Sequence, residues 1–251
     1  MTTHHRVLGT HAALPATPAM LVVIHQTGPD HAAEQALLAF ANGADGVFLI
    51  NHFHHANTLL DSIRSVREVC DGWVGVNPLG MQAQKAAEFV VHTAGRAGRI
   101  DGLWCDDAGI DERRGPQDQP YAAGVAQQLE GWPGLYFGGV SFKGQRPVLR
   151  WADAARAAAP WMDVVCTSGP RTGFPAPLAK LQAIAEGAGP APVAVASGVN
   201  EGNVDAQLAH VSAVLVASSI SLNDTDLDDR AVRRLAEIVR ATPGRTASAA
   251  A

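Results

Sequence analysis

Short apolar runs alternate with segments of helical spacing along almost the whole sequence. This alternation is typical of strands and helices that build a parallel sheet. Several runs, such as LVVIH and AVLVA, are continuously apolar, as expected of strands that are covered on both faces. The eight predicted strands are Met20–His25, Asp45–Ile50, Trp73–Asn77, Gly102–Asp106, Gly134–Gly138, Asp163–Thr167, Val193–Ser197 and Ala213–Ala217.

Two of the intervening segments show helical periodicity clearly. The segment Asn57–Cys70 carries apolar residues at intervals of three and four, which place them on one stripe of a helix. The final segment, Asp228–Ala241, repeats this spacing. Its acidic start and Arg240 near its end also suit the dipole of a helix.

Chain length and strand number together predict an α/β protein with a single (β/α)8 TIM barrel. The chain has 251 residues, which is the usual length of eight strand–helix units. An open doubly wound sheet would often carry a GxGxxG turn after its first strand, and none is present there. We expect the barrel to span residues 1–241. Residues 242–251 lack a periodic apolar face, and we expect them to form a disordered tail.

Composition and charge exclude several classes of function. The chain is 47% hydrophobic and 17% charged, with a net charge of −5, so a broad nucleic-acid-binding face is not expected. A small anionic ligand stays compatible with this charge. No signal-peptide pattern and no apolar run of about 20 residues is present, which predicts a cytoplasmic protein without a membrane span. The three cysteines form no CxxC pair and are expected to be reduced.

Glycine and hydroxyl residues cluster after the last three predicted strands. At the carboxyl end of a barrel, such loops often bind phosphate, because glycines let backbone N–H groups approach a ligand and hydroxyls add donors. The alternative is that these glycines only permit tight turns. The predicted phosphate-binding residues are Ser168, Gly169, Arg171, Thr172, Gly173, Ser197, Gly198, Asn203, Ser218 and Ser219.

The other strand ends supply candidate catalytic groups. An imidazole moves protons near neutral pH, and a carboxylate beside it stabilises its charged form, so His25 or His52 with Asp106 is the predicted acid–base combination. Lys143 is expected to act as a cation for a second anionic group or as a Schiff-base nucleophile. The alternative for each is a purely structural hydrogen bond. Polar residues expected to contact the substrate are Asn51 and Asn77.

A metal site is an alternative use of the histidines. His52 and His54 are separated by one residue, and with His25 and Asp106 they offer nitrogen and oxygen ligands for zinc or another divalent ion. The HxH pair of barrel hydrolases usually follows the first strand, whereas this pair follows the second. The sequence therefore requires no cofactor and leaves a divalent metal as an alternative.

The motifs at the strand ends resemble the BtpA family over about residues 22–239. This family, named from a photosystem I biogenesis factor, is placed with ribulose-phosphate-binding barrels, so the resemblance implies a barrel with an anion-binding mouth. Where the family commonly has a glutamate and an NfgD-like continuation, this chain has Ile50 followed by NHFHH. The motifs are GADG at 43–46 leading to Asn51, GVN at 75–77, SG–TG at 168–173, SGV–NV at 197–204 and ASS at 217–219.

These observations predict an enzyme that acts on a small phosphorylated metabolite, such as a sugar phosphate or a nucleotide-like compound, by proton transfer or bond cleavage at the barrel mouth. A metal-dependent hydrolase that uses the His52/His54 cluster is one alternative. A non-catalytic assembly or binding factor of the BtpA type is another. An apolar helix on the outside of the barrel could also pair with a second copy of the chain, so a homo-oligomer is a further alternative.

Overall fold

Eight parallel strands form a closed barrel whose order around the ring is the order along the chain. The computed structural model describes residues 13–52, 58–93 and 96–245. The predicted barrel is confirmed, and each predicted strand lies within one residue of its observed bounds. The strands are β1 (Ala19–His25), β2 (Gly46–Ile50), β3 (Trp73–Asn77), β4 (Gly102–Cys105), β5 (Leu135–Gly139), β6 (Val164–Ser168), β7 (Val193–Ala196) and β8 (Ala213–Val216).

A helix follows each strand and covers the outside of the barrel. The helices are α1 (Pro29–Ala41), α2 (Thr58–Val69), α3 (Ala83–Thr93), α4 (Pro120–Gln128), α5 (Trp151–Ala158), α6 (Leu178–Ala188), α7 (Val204–Leu208) and α8 (Asp229–Ala241). The predicted last helix starts where expected, because the Asp228 side chain accepts hydrogen bonds from the N–H groups of Arg230 and Ala231. None of the helices described is both long and apolar enough to span a bilayer.

Strand residues divide between two apolar layers. Along β1, Met20 and Val22 belong to a cluster that includes helix residues, whereas Leu21 and Val23 belong to a second cluster formed by strands and adjoining loops. Successive side chains of a strand point to opposite faces, so the first cluster lies between barrel and helices and the second fills the barrel. Both layers are buried, and this explains why the strands are continuously apolar.

Aromatic rings fill the lower part of the barrel interior beside glycines. The Phe48 ring lies edge-on to the rings of Trp73 and Phe137, with centroids 5.2 Å away in both pairs. A Cβ atom at Gly75 would lie 2.3 Å from the Phe48 ring, and one at Gly102 would lie 2.4 Å from Trp73. The missing side chains on β3 and β4 therefore make room for two large rings.

Hydrogen bonds hold the chain to the barrel after α8. The Arg245 N–H donates to the Leu208 carbonyl at 3.0 Å, and its guanidinium donates to the carbonyls of Ala191 at 2.9 Å and Ala185 at 3.0 Å. The described part of the expected tail is thus anchored beside α6 and α7. Residues 246–251 lie outside the described residues.

Candidate functional site

The carboxyl ends of the strands surround a cavity of about 430 Å³, here called the mouth cavity. Its walls combine residues that are distant in sequence, because closure of the barrel brings the loops after β1 and β8 together. From both predicted groups, the residues that line it are His25, His52, Asp106, Lys143, Thr172, Gly173, Ser197, Gly198, Ser218 and Ser219.

Four residues whose backbone N–H groups donate no hydrogen bond within the described ranges line one side of this cavity. Gly198 and Val199 follow β7, Ser218 and Ser219 follow β8, and all four line the mouth cavity. Within the described residues, none of their N–H groups donates a hydrogen bond. Amides of neighbouring loops that converge in this way form an anion-binding concavity. This side of the mouth can therefore supply several donors to phosphate oxygens.

The shape of the loop after β7 depends on its glycine. Ser197 and Gly198 both have left-handed backbones, with φ of 85° and 69°. A Cβ atom at Gly198 would lie 2.2 Å from the carbonyl carbon of Phe174, so a larger residue would push the loops after β6 and β7 apart. The Asn203 amide donates to the Gly198 carbonyl at 2.8 Å and thereby fixes the turn.

A cation and a hydroxyl line the same cavity as these amides. Lys143 Nζ donates to Thr172 Oγ1 at 3.1 Å, and both residues line the mouth cavity. The Lys143 backbone N–H donates to Ser168 Oγ at 2.8 Å, which joins the loops after β5 and β6. Lys143 is thus held where its charge can reach an anion bound at the mouth.

A second lysine, which the sequence analysis missed, lies behind this wall. Lys180 on α6 is buried and donates from Nζ to the carbonyls of Ser141 at 2.5 Å and Ser168 at 2.7 Å. Burial lowers the pKa of Lys180 to about 8. Its only sequence signal is a charged residue on the apolar stripe of α6, next to Leu181 and one turn before Ile184.

The candidate acid and base lie on the mouth cavity with altered pKa values. Burial raises the pKa of Asp106, and this effect outweighs the hydrogen bond that its Oδ1 accepts from Asn77 Nδ2 at 3.1 Å. Burial also lowers the pKa of His25, and the His52 imidazole lowers it further. The two imidazole rings are stacked, with centroids 5.2 Å apart. Burial therefore shifts the titration of both groups towards the neutral form, upwards in pKa for Asp106 and downwards for His25.

Other predicted phosphate ligands do not line the mouth cavity. Ser168 is fully buried and its hydroxyl donates to the Gly169 carbonyl, while Gly169 packs against the backbone of Phe174. Arg171 lies over the Phe174 ring, with its guanidinium carbon 3.7 Å from the ring centroid. Asn203 shapes the loop after β7. These residues therefore either support the loops that form the cavity wall or lie outside the cavity.

The two asparagines predicted to bind substrate also lie away from the mouth cavity. Asn51 is buried, and its Oδ1 accepts a hydrogen bond from the Leu79 N–H at 2.7 Å. This bond links the loops after β2 and β3. Asn77 holds Asp106 instead and lines a different cavity.

That second cavity, here called the rim cavity, has a volume of about 440 Å³ and lies between the loops after β3 and β4. It meets the mouth cavity at Leu79 and Asp106, which line both. Sequence analysis missed this space, because only folding brings the two loops and the start of α4 together. Its other lining residues include Asn77, Gln82, Cys105, Asp107 and Tyr121.

The described residues hold no metal centre. No group of three or more His, Cys, Asp or Glu side chains in the described ranges is arranged to bind a metal ion. His54, which belongs to the alternative metal site, lies outside the described residues. His25 and His52 are the two imidazoles found together at the mouth.

Comparison with known proteins identifies the fold. Neither a protein-family model nor a curated protein matches the chain. Phosphoribosyl anthranilate isomerase from Thermus thermophilus is 15% identical, with a TM-score of 0.61 over 89% of this chain and 98% of that chain. Orotidine 5'-monophosphate decarboxylase from Methanocaldococcus jannaschii is 13% identical, with a TM-score of 0.66 over 89% and 99%.

Tryptophan synthase subunit alpha from Legionella pneumophila gives a similar result. It is 13% identical to this chain, with a TM-score of 0.63 over 89% of this chain and 93% of that chain. At sequence identities this low, the three structural similarities show that the barrel fold is shared and do not show a shared function.

Proposed function

We propose that this protein is an enzyme that acts on a small phosphorylated metabolite and binds its phosphate at the loops after β7 and β8. The observation that carries the proposal is the group of four N–H donors, at Gly198, Val199, Ser218 and Ser219, that line one cavity and donate no hydrogen bond to any described residue. Backbone donors of this kind recognise phosphate without recognising what it is attached to. The proposal therefore names a class of substrate.

Lys143 and Thr172 complete the phosphate site in this proposal. A phosphate that leaves water for a protein cavity needs charge compensation as well as hydrogen bonds. Lys143 supplies a positive charge and Thr172 a hydroxyl, and their mutual hydrogen bond positions both at the cavity wall. Phosphate oxygens would be bound from two sides.

Asp106 and His25 are the proposed acid and base. Both line the mouth cavity beside the phosphate site, and burial raises the pKa of Asp106 and lowers the pKa of His25. A neutral imidazole accepts a proton and a neutral carboxyl group donates one, so the pair can move protons on the part of the substrate nearest to them. Proton transfer at the centre of the mouth is the reaction type that this arrangement supports.

The structural neighbours support a phosphorylated substrate. Phosphoribosyl anthranilate isomerase and orotidine 5'-monophosphate decarboxylase are both named for phosphorylated compounds. We also propose a distant relationship with the BtpA family, because its SG–TG and SGV–NV motifs coincide here with the loops that carry Thr172 and Gly198.

Phosphate binding is the direct test. Calorimetry should detect binding of inorganic phosphate or ribose 5-phosphate, and a concentration of 100 times Kd should raise the free energy of unfolding by about 2.7 kcal/mol. Gly198→Ala should abolish both effects, because the added Cβ atom would collide with the Phe174 backbone. Gly189→Ala is the matched control, since Gly189 also has a positive φ, of 61°, but ends α6 with open space around it.

Two results would contradict the proposal. One is the absence of any binding or stabilisation by inorganic phosphate and by a panel of phosphate esters. The other is equal binding by the Gly198→Ala and Gly189→Ala variants, which would place the anion elsewhere on the protein.

A further inference from the structure

We propose that the substrate carries a positively charged nitrogen group at the end opposite its phosphate, and that the rim cavity binds this group. The inference rests on the proposed function, because it takes the phosphate site as the other anchor of the same molecule. It narrows the substrate class to phosphorylated amines or guanidines.

The position of the rim cavity follows from the order of the strands. In a closed ring of eight strands, the loops after β3 and β4 lie opposite the loops after β7 and β8. A molecule whose phosphate is bound at Gly198 and Ser218 would cross the mouth and reach Asp106, which lines both cavities. Its far end would then enter the space between Asp106 and Tyr121.

An unused acceptor faces this space from a buried side chain. Asn77 is 2% exposed and lines the rim cavity. Its Nδ2 donates to Asp106 Oδ1, but its Oδ1 accepts no hydrogen bond from any residue in the described ranges. An amide oxygen that accepts no hydrogen bond from the protein can accept one from a ligand or water in the adjoining cavity. Asn77 therefore presents an oxygen to a hydrogen-bond donor.

Asp107 adds a negative charge to the same wall, and the neighbouring Asp106 adds a carboxyl group that also offers acceptor oxygens. Asp107 lines the rim cavity, and its Oδ1 accepts hydrogen bonds from the Gly109 N–H at 2.8 Å and from Gln145 Nε2 at 3.0 Å. These two bonds fix the side chain, and Asp107 Oδ2 accepts none within the described ranges. Asp106 contributes the second carboxyl group. Oxygen acceptors therefore approach the cavity from three neighbouring side chains.

The charge of the lining selects a cation. The described lining of the rim cavity contains no lysine, arginine or histidine. A second anionic group would be repelled there, whereas an ammonium or guanidinium group would donate hydrogen bonds to carboxylate and amide oxygens. Tyr121 also lines the cavity, and an aromatic ring near a bound cation adds to its attraction. Within the described lining, the rim cavity thus offers carboxyl and amide oxygens and no basic side chain.

Three series of phosphate esters test this charge preference on the intact protein. The esters are ω-aminoalkyl, n-alkyl and ω-carboxyalkyl phosphates, each with chains of two to six carbons, and Kd is measured by calorimetry at pH 7. At the chain length that spans the mouth, the amino ester should bind roughly three- to tenfold more tightly than the alkyl ester, and the carboxyl ester should bind most weakly.

Two variants assign the preference to the rim cavity. Asp107→Asn keeps the shape of the side chain and removes its charge, so the advantage of the amino ester should fall to less than about twofold while inorganic phosphate binds as before. Glu130→Gln is the matched control, because it removes an exposed carboxylate at the end of α4 and should leave the advantage intact.

The outcomes separate the two proposals. Equal Kd values for the amino and alkyl esters at every chain length, with inorganic phosphate still bound, would overturn the cation site alone and favour a neutral hydroxyl-bearing group there. An amino-ester advantage that persists fully in Asp107→Asn would also overturn it. Failure of inorganic phosphate and of all esters to bind would overturn the phosphate site and, with it, this inference.

Discussion

Asp106 is the residue on which both cavities converge. It follows β4 at the centre of the mouth, lines the mouth and rim cavities, and is held by Asn77. Its burial raises its pKa, although the hydrogen bond from Asn77 and the charge of Lys143 act in the opposite direction. A buried carboxyl group with a raised pKa at the centre of a polar mouth is suited to proton transfer rather than to a structural ion pair.

The raised pKa predicts a pH-dependent stability effect of Asp106→Asn. The folded protein binds a proton here more tightly than the unfolded chain, so this residue's contribution to stability is present below a pH of roughly 4 and is lost as pH rises through the folded-state pKa. The asparagine variant avoids that loss. Urea unfolding between pH 4 and pH 7 should therefore show the variant gaining stability relative to the native protein.

Asp111→Asn is the control of opposite sign. Hydrogen bonds from the Arg113 side chain lower the pKa of Asp111, so this variant should lose stability relative to the native protein as pH rises from about 2 to about 4, and should change little between pH 4 and pH 7. A difference between Asp106→Asn and the native protein that does not change with pH would show that Asp106 titrates normally.

At the scale of elements, the loops after β5 and β6 act as one unit. Lys180 reaches from α6 to the carbonyls of Ser141 and Ser168, and the Ser168 hydroxyl accepts from the Lys143 N–H. Ser141 adopts a positive φ of 50° at this junction. These contacts place the side chain of Lys143 at the mouth, so a helix on the outside of the barrel helps to position a residue of the candidate site.

Replacing Lys180 by methionine tests this junction. The variant leaves two buried carbonyls without donors and should lose about 1–3 kcal/mol of unfolding free energy at pH 7. The pKa of Lys180 is lowered to about 8, so the unfolded chain binds more protons than the folded protein above that pH. The native protein therefore gains stability from Lys180 between about pH 8 and pH 10. The difference in unfolding free energy between the native protein and Lys180→Met should increase over this range.

Lys85→Met controls for the loss of a lysine as such, because Lys85 is exposed on α3 and pairs with Glu88. Urea unfolding at pH 7, 8, 9 and 10 gives the comparison. If the difference in unfolding free energy between the native protein and Lys180→Met decreases above pH 8, Lys180 is not a buried cation.

At the scale of the whole molecule, the interior of the barrel is filled in layers below the mouth. The rings of Phe48, Trp73 and Phe137 occupy the lower layer, and Trp104 and Phe142 lie nearer to the mouth. Glycines on neighbouring strands provide the volume that these rings need. The mouth cavity thus has a rigid apolar floor, and the polar site is confined to the loops above it.

The Phe48 ring occupies the space that a side chain at Gly75 would need. The losses of unfolding free energy caused by substitutions at these two positions should therefore not add up in the double variant. Phe48→Ala should cost about 3–5 kcal/mol by leaving a cavity, and Gly75→Ala should cost about 1–3 kcal/mol, because its methyl group would overlap the Phe48 ring. In the double variant the methyl group enters the vacated space. Urea unfolding should therefore give a total loss smaller than the sum of the single losses.

Additive losses would mean that the two positions do not share space. Gly134→Ala combined with Phe48→Ala is a useful comparison, since Gly134 contacts Trp132 rather than the Phe48 ring and its effect should add independently.

The eight strands and the loops that carry the candidate site were determined by the sequence alone. Burial on both faces makes a strand continuously apolar, and a helix packed on one side repeats its apolar residues every three to four positions, so both can be recognised locally. Residues just after such strands must lie at one end of the barrel. His25, Asp106 and Ser218 were therefore expected at the mouth before any contact was known.

Only the tertiary structure decided which of these residues face the ligand space. Ser168 and Gly169 have the same local pattern as Ser197 and Gly198, yet packing against the Phe174 backbone and the Lys143 N–H buries them. The unused amides, the buried charge of Lys180 and the rim cavity likewise depend on contacts between residues that are far apart in sequence. Such contacts leave no periodic trace, because they depend on how loops and helices pack after the barrel has closed.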